Sequence, residues 1–145
     1  QDPGITTDLI VGFPEEDGAE FNQTQEFIQS TKFSDIHVFP YSRRPGTTAY
    51  HYGSFIEPQT KKTRANLALK IAQQQHNDFR QSQIGTIRPV LWETTTQGRG
   101  TNIWSGLTDN YIRIYNESQL DLKNQITHTN LVRLGPKGMI GELDR

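Results

Sequence analysis

The sequence predicts an α/β segment followed by a small all-β segment, and three observations predict it. Two apolar, β-prone runs end abruptly in turns: Thr6-Thr7-Asp8-Leu9-Ile10-Val11-Gly12-Phe13-Pro14-Glu15-Glu16 and His37-Val38-Phe39-Pro40-Tyr41-Ser42-Arg43-Arg44-Pro45-Gly46-Thr47. Helical spacing of apolar residues follows each run. After Gly85 the texture changes to short, Thr-rich and β-branched segments punctuated by Gly, Pro and Asp-Asn. The two runs read as buried parallel strands whose C-terminal ends open into loops, the end at which ligands sit in α/β folds. Two such units in tandem are what a piece of a β/α barrel would show.

The elements follow in order. Ile5–Val11 is strand-like, and Gly12-Phe13-Pro14 breaks it. Glu15, Glu16 and Asp17 place negative charge at the start of the next helix, where the helix dipole favours it. Phe21, Thr24, Ile28 and Thr31 recur at helical spacing and predict a helix from about Gly18 to Thr31. Phe33–Tyr41 is the second strand, so the βαβ unit predicts parallel strands with a right-handed crossover. Thr47–Ile56 reads as a loop. Glu57-Pro58 starts a long helix, with Pro tolerated in its first turn. Ala65, Ala68, Ile71, Ala72 and Phe79 mark its buried face, and it ends near Ile84-Gly85. The cluster Lys61, Lys62 and Arg64 is expected on a solvated face, with phosphate contact as the other reading.

Beyond Gly85, strands are predicted at Arg88–Thr95, Thr101–Thr108, Tyr111–Tyr115, Gln125–Arg133 and Met139–Leu143. Short strands at this spacing predict a small antiparallel barrel, and about 60 residues suit an OB-like one. The expected domains are residues 1–82 and 83–145.

Composition narrows the function classes. The 145 residues carry 15 basic and 16 acidic side chains, a balance that does not call for nucleic acid or membrane. Hydrophobic residues make up 32% of the chain, and mean hydropathy is −0.71, low for a self-sufficient core. No apolar run approaches the ~18 residues of a membrane span, so no membrane partner is expected. Cys is absent, which excludes disulfides and Cys-ligated metal within these residues and fits a cytoplasmic protein. The four His are dispersed without ligand spacing, and no metal site is expected. A core strand so near the start needs neighbouring strands. The chain is therefore expected to be the C-terminal part of a longer protein, whose missing N-terminal part supplies them. Ile10, Val11, Val38 and Phe39 would then be partly uncovered, and the exposed barrel edge is expected to self-associate.

Several residues are candidates for a site. Gly12 either admits a flat ligand against the backbone or serves a tight strand-to-helix turn. Asp8 is a carboxylate in an apolar strand, a place where such groups are paired or at a site. Phe39-Pro40-Tyr41 either flanks a purine or packs in the core. Arg43-Arg44 at the strand mouth can hold a carboxylate or phosphate, or lie on the surface. In the barrel, Trp104, Tyr111, Arg113 and Tyr115 combine aromatic and basic groups, the means by which barrels of this kind stack bases and pair phosphates. Alternation would place Tyr111, Arg113 and Tyr115 on one face and Ile112 and Ile114 in the core. No nucleophile elbow, P-loop or dinucleotide fingerprint is present, and no catalytic residue is assigned.

Together these motifs resemble the C-terminal half of MiaB-like tRNA methylthiotransferases, the MtaB type most closely. Thr6-Thr7-Asp8-Leu9-Ile10-Val11-Gly12-Phe13-Pro14 is similar to the family's fifth barrel strand, usually continued by Gly-Glu-Thr. Here Glu15 replaces that Gly, Glu16 matches the Glu, and Asp17 replaces the Thr. His37 to Thr47 resembles the sixth strand and its exit, with Arg43 where the family often has Pro. Gly106-Leu107-Thr108-Asp109-Asn110-Tyr111-Ile112-Arg113-Ile114 is similar to the family's TRAM domain.

The resemblance implies the last two β/α units of a radical SAM barrel, then a TRAM β-barrel. Full-length relatives of this family carry two 4Fe-4S clusters and use S-adenosylmethionine to add a methylthio group to C2 of an adenosine. In the MtaB type that base is threonylcarbamoyladenosine beside the tRNA anticodon. This chain has no Cys, so neither cluster is expected here, and the segment alone is expected to be inactive and to bind no cofactor. By motif match, Ile10 and Gly12 fall against the adenosyl group, and Phe39, Pro40 and Tyr41 border the adenine. Asn110, Tyr111 and Arg113 are implied RNA contacts, with tRNA as partner. Two other readings stand beside this one: a stand-alone RNA-binding module, and a methylthiotransferase acting on a ribosomal protein.

Overall fold

The computed structural model describes residues 2–98 and 100–144. Two compact units divide the chain, Ile5–Asn77 in one, and Asp78 onward with the segment up to Gly4 in the other.

In the first unit, β1 (Thr6–Val11) and β2 (Asp35–Pro40) pair in parallel, with Asp8 opposite His37 and Ile10 opposite Phe39. Helix α1 (Gly18–Thr31) joins them. Its start is set by a capping box: Asp17 accepts from the Glu20 amide at 2.8 Å, and Glu20 accepts from the Asp17 amide at 2.9 Å. It ends at Lys32, which takes the left-handed conformation. Phe21 and Ile28, two turns apart, are its buried residues. Helix α2 (Pro58–Ser82) brings Ala65, Ala68 and Ala72 against the same sheet face, small residues that permit close approach. Strand alternation sends Leu9 and Val11 of β1, and Ile36 and Val38 of β2, into this helix-covered layer. Val11 is wholly buried and Val38 partly so. The expectation that Val11 would be partly uncovered is corrected, because α1 and α2 fill that side, whereas Val38 stays partly uncovered as expected. Ile10 and Phe39 remain uncovered at 54% and 49% exposure. Within the expected loop, Thr48–His51 forms one 3-10 turn.

In the second unit, β3 (Ile87–Gln97), β4 (Asn102–Thr108), β5 (Arg113–Ser118), β6 (Ile126–Gly135) and β7 (Gly138–Leu143) close a five-stranded barrel in the order β3-β4-β5-β7-β6. All pairs are antiparallel except β5 and β7, which run parallel. That pair corrects the expected all-antiparallel barrel. Its core is Val90, Trp92, Trp104, Ile112, Ile114, Leu122, Leu131 and Met139. Gly106 sits opposite Trp92, and a Cβ there would meet the Leu91 carbonyl and the Val90 and Trp92 side chains. The large ring is accommodated because its partner has no side chain.

Three sequence expectations are corrected in this unit. Trp104 is 3% exposed and belongs to the core, not to an aromatic outer face. The strand expected at Tyr111–Tyr115 begins at Arg113. Tyr111 precedes it in a turn at φ +65°, so the three side chains do not lie on one strand.

Candidate functional site

The β1–β2 sheet has one face covered by helices and one face open. At the C-terminal end of the open face, Ile10 and Phe39 lie side by side as register partners. One pleat back, Asp8 and His37 pair at 3.3 Å, and the other nitrogen of His37 stands 3.8 Å from Asp35. The Asp8 carboxylate is thus paired, as expected for a charge in an apolar strand. An apolar floor with a polar step beside it suits a flat heterocycle that carries hydrogen-bonding groups.

The strand mouths are built by backbone bonds and by α2. The Tyr41 amide donates to the Val11 carbonyl at 2.8 Å, extending the pairing one residue beyond Pro40. The Tyr41 ring packs edge-on against Phe13, 5.2 Å between centroids. Its hydroxyl is buried and has no hydrogen-bond partner among the described residues, an unsatisfied group that calls for an explanation. Gly12 adopts φ +70°, and a Cβ on it would collide with the Lys61 side chain. The space beside Gly12 is therefore filled from within the chain.

Lys61 and Arg64 correct the expectation of a solvated face. Arg64 is 9% exposed. Its guanidinium donates to the Glu16 carboxylate at 2.5 Å and to the Glu16 carbonyl at 2.8 Å. The same carboxylate oxygen accepts from the Gly12 amide at 2.6 Å. Lys61 donates to the Tyr41 carbonyl at 3.3 Å. A sequence signal existed: Lys61 and Arg64 precede Ala65 and Ala68 by four residues each, which puts them on the buried stripe. Arg43 is turned back on the loop. It donates to the Tyr50 carbonyl and lies 4.2 Å from the Tyr50 ring and 4.1 Å from the Phe55 ring.

On the barrel, the three implied RNA residues separate. Asn110 is buried. Its side-chain oxygen accepts from Thr108 at 2.6 Å, and its amide donates to the Asp2 carbonyl and the Gln83 side chain. It shapes the turn and offers nothing to solvent. Tyr111 is 81% exposed. Arg113 pairs with Glu93 at 2.6 Å and reaches Ser105 at 3.3 Å. Glu93 is the extra residue of a β-bulge, where Trp92 pairs with Gly106 and Thr94 with Ser105. Bulges re-aim side chains, and here the outcome is a carboxylate paired with Arg113. Tyr115 lines a groove of about 780 Å³ with Ile103, Ile140, Arg133 and Lys137 among its walls.

No family model matches the chain. Sequence comparison finds relatives over most of its length. The chain is 30% identical to threonylcarbamoyladenosine tRNA methylthiotransferase MtaB of Bacillus subtilis over 132 residues, covering 90% of the chain and 29% of that protein. It is 30% identical to ribosomal protein uS12 methylthiotransferase RimO of Alkaliphilus oremlandii, covering 96% of the chain and 33% of that protein. It is 35% identical to tRNA-2-methylthio-N(6)-dimethylallyladenosine synthase of Syntrophotalea carbinolica, covering 66% of the chain and 22% of that protein. The chain thus spans a third or less of the length of these relatives. The class these matches define is the methylthiotransferases. Within it, the chain belongs with the MtaB-, MiaB- and RimO-type proteins and corresponds to a C-terminal fragment of one.

Proposed function

We propose that this chain is the tRNA-holding and cofactor-bordering part of a radical SAM tRNA methylthiotransferase of the cytoplasm. Residues 1–82 are the last two β/α units of its catalytic barrel, and residues 83–145 are its TRAM domain. The whole protein would add a methylthio group to C2 of threonylcarbamoyladenosine next to the anticodon. The observation that carries this reading is the similarity to the Bacillus subtilis protein over 90% of the chain.

The residues present fit an adenosyl group in two respects. Ile10 and Phe39 form an apolar floor on the open sheet face. The buried Tyr41 hydroxyl lacks a partner among the described residues, and Tyr41 directly follows β2, whose end would border the adenine. Pro40 holds the backbone between Phe39 and Tyr41 rigid. Gly12 acts through the turn it permits. S-adenosylmethionine would supply the methyl group and the adenosyl radical. The chain has no Cys, so it offers no thiolate to an iron–sulfur cluster, and clusters belong elsewhere in the whole protein.

In the barrel, Tyr111 is the exposed ring for base stacking, Arg113 the cation for phosphate, and Asn110 the support for the turn that presents Tyr111. A second reading, a methylthiotransferase acting on ribosomal protein uS12, is supported by the similarity to the Alkaliphilus protein over 96% of the chain. The exposed Tyr111 favours RNA.

The test is made on the full-length product of the gene that encodes this chain, purified without oxygen. It is given S-adenosylmethionine, a sulfur source and either tRNA bearing threonylcarbamoyladenosine or uS12. Mass spectrometry of the tRNA nucleosides should show the methylthio derivative. Modification of uS12 alone would establish the second reading. Tight tRNA binding without modification of either would leave an RNA-binding module.

A further inference from the structure

Helix α2 ties down both strand mouths with two basic side chains one turn apart. We propose that Arg64 and Lys61 are positioning residues for the adenosyl group, an inference that rests on reading the strand mouths as part of the S-adenosylmethionine pocket. Neither was assigned such a role by motif.

The argument starts from the turn after β1. Gly12 and Glu15 both have positive φ, +70° and +71°. A glycine accepts that conformation freely, and a glutamate does not. Such a turn persists only when its surroundings hold it. The Glu15 amide donates to the Ser54 carbonyl and the Glu16 amide to the Phe13 carbonyl, and Arg64 supplies the side-chain hold. It bonds the Glu16 side chain and the Glu16 carbonyl, and that side chain in turn takes the Gly12 amide. One guanidinium therefore fixes both ends of the five-residue turn. The Arg64 and Glu16 side chains are each only 11% exposed, so water competes weakly for these bonds.

Lys61 couples this turn to the second strand. Its aliphatic stem occupies the side of Gly12 where a Cβ would stand, and its ammonium donates to the Tyr41 carbonyl. Beside the backbone bond from the Tyr41 amide to the Val11 carbonyl, this side chain is a second tie between Gly12 and Tyr41. Both backbones that border the proposed pocket are thus tethered to one turn of α2. A pocket closed on a flat ring tolerates little displacement, so loosening either tether should weaken binding of the ring.

The experiment uses the full-length protein, purified without oxygen, with three readouts: S-adenosylmethionine affinity by equilibrium dialysis, hydrogen exchange of the peptide spanning residues 12–17, and thermal melting. Arg64→Ala should speed exchange in that peptide and weaken affinity about tenfold, the usual scale for a lost charge-assisted bond. Arg64→Lys, which keeps one donor, should recover much of the loss. Lys61→Met keeps the stem and removes the ammonium. It should melt as wild type does and bind severalfold more weakly. Wild-type affinity in a folded Arg64→Ala protein with a loosened turn would overturn the inference and leave the pocket reading intact. Should Arg64→Ala fail to fold, Lys61→Met decides, and unchanged affinity overturns the inference. A wild-type protein that binds no S-adenosylmethionine would overturn the pocket reading and this inference with it.

Discussion

Ile10 and Phe39 are register partners across the parallel β1–β2 pair, and both stand on its uncovered face. The neighbours before and after them in each strand face the helices or the turn, so the two share an apolar spot bounded by the Asp8–His37 pair. Their side chains contribute little to folding because half of each remains in water. Ile10→Ala and Phe39→Ala are expected to change stability by about 1 kcal/mol or less, read by chemical denaturation. In the same variants of the full-length protein, S-adenosylmethionine affinity should fall. Loss of stability with unchanged affinity would assign the pair to packing.

The open face and the unpaired strand edges also predict association of the isolated chain. Sedimentation velocity of the chain should show concentration-dependent dimers, and Ile10→Asp should reduce them. Monomers at every concentration would count against that expectation.

Arg113 carries a partner that the sequence did not disclose. Arg113→Ala should weaken tRNA binding and flatten the salt dependence by about one phosphate contact. Glu93→Gln should act in the opposite direction, because it frees the guanidinium from its 2.6 Å ion pair. Stability should change by no more than about 1 kcal/mol in either variant, since the pair is partly exposed. Filter binding of tRNA across a salt series measures both effects. Equal affinities for the three proteins would move the RNA surface elsewhere.

Tyr111 offers a test that separates fold from recognition. Its φ of +65° is unfavourable for a tyrosine, and its ring is exposed. Tyr111→Gly should leave the barrel as stable as before or more stable by about 1 kcal/mol, while removing a stacking surface worth roughly 1–3 kcal/mol. Glu15→Gly, at φ +71°, should likewise stabilise the α/β unit by about 0.5–1 kcal/mol. Paired thermal melts and tRNA titrations check the first, and melts alone the second.

Ile114 is wholly buried in the barrel core. Ile114→Ala should cost roughly 2–5 kcal/mol through the cavity it leaves. Ile112→Ala, at 4% exposure, should fall in the same range, although Ile112 lies before the strand and not in it. Urea denaturation measures both.

Much of the architecture was legible along the chain. The α1 limits followed from the acidic run Glu15, Glu16 and Asp17 and from the spacing of Phe21, Thr24, Ile28 and Thr31, all local determinants. The seven strands were visible because β-branched runs and turn residues alternate at short range. What misled was equally specific. Arg64 looks like a surface charge until its spacing from Ala68 is weighed. Asn110 looks like a recognition residue, yet its side chain is consumed by Thr108, Asp2 and Gln83. Trp104 looks like a stacking ring, and it is core.

By itself the sequence determined the order of elements, the location of both turn-rich strand mouths, and the kinship with methylthiotransferases. Each of these depends on residues close together in the chain or on the pattern of the whole. Only the tertiary structure decided which face of β1–β2 stays open, that β5 runs parallel to β7, and which charges find partners. Glu16 meets Arg64 across 48 positions, and Glu93 meets Arg113 across 20. Such pairs are set by strand register, a bulge and the close approach of a helix, and no local propensity encodes the distance between two side chains that the fold alone brings together.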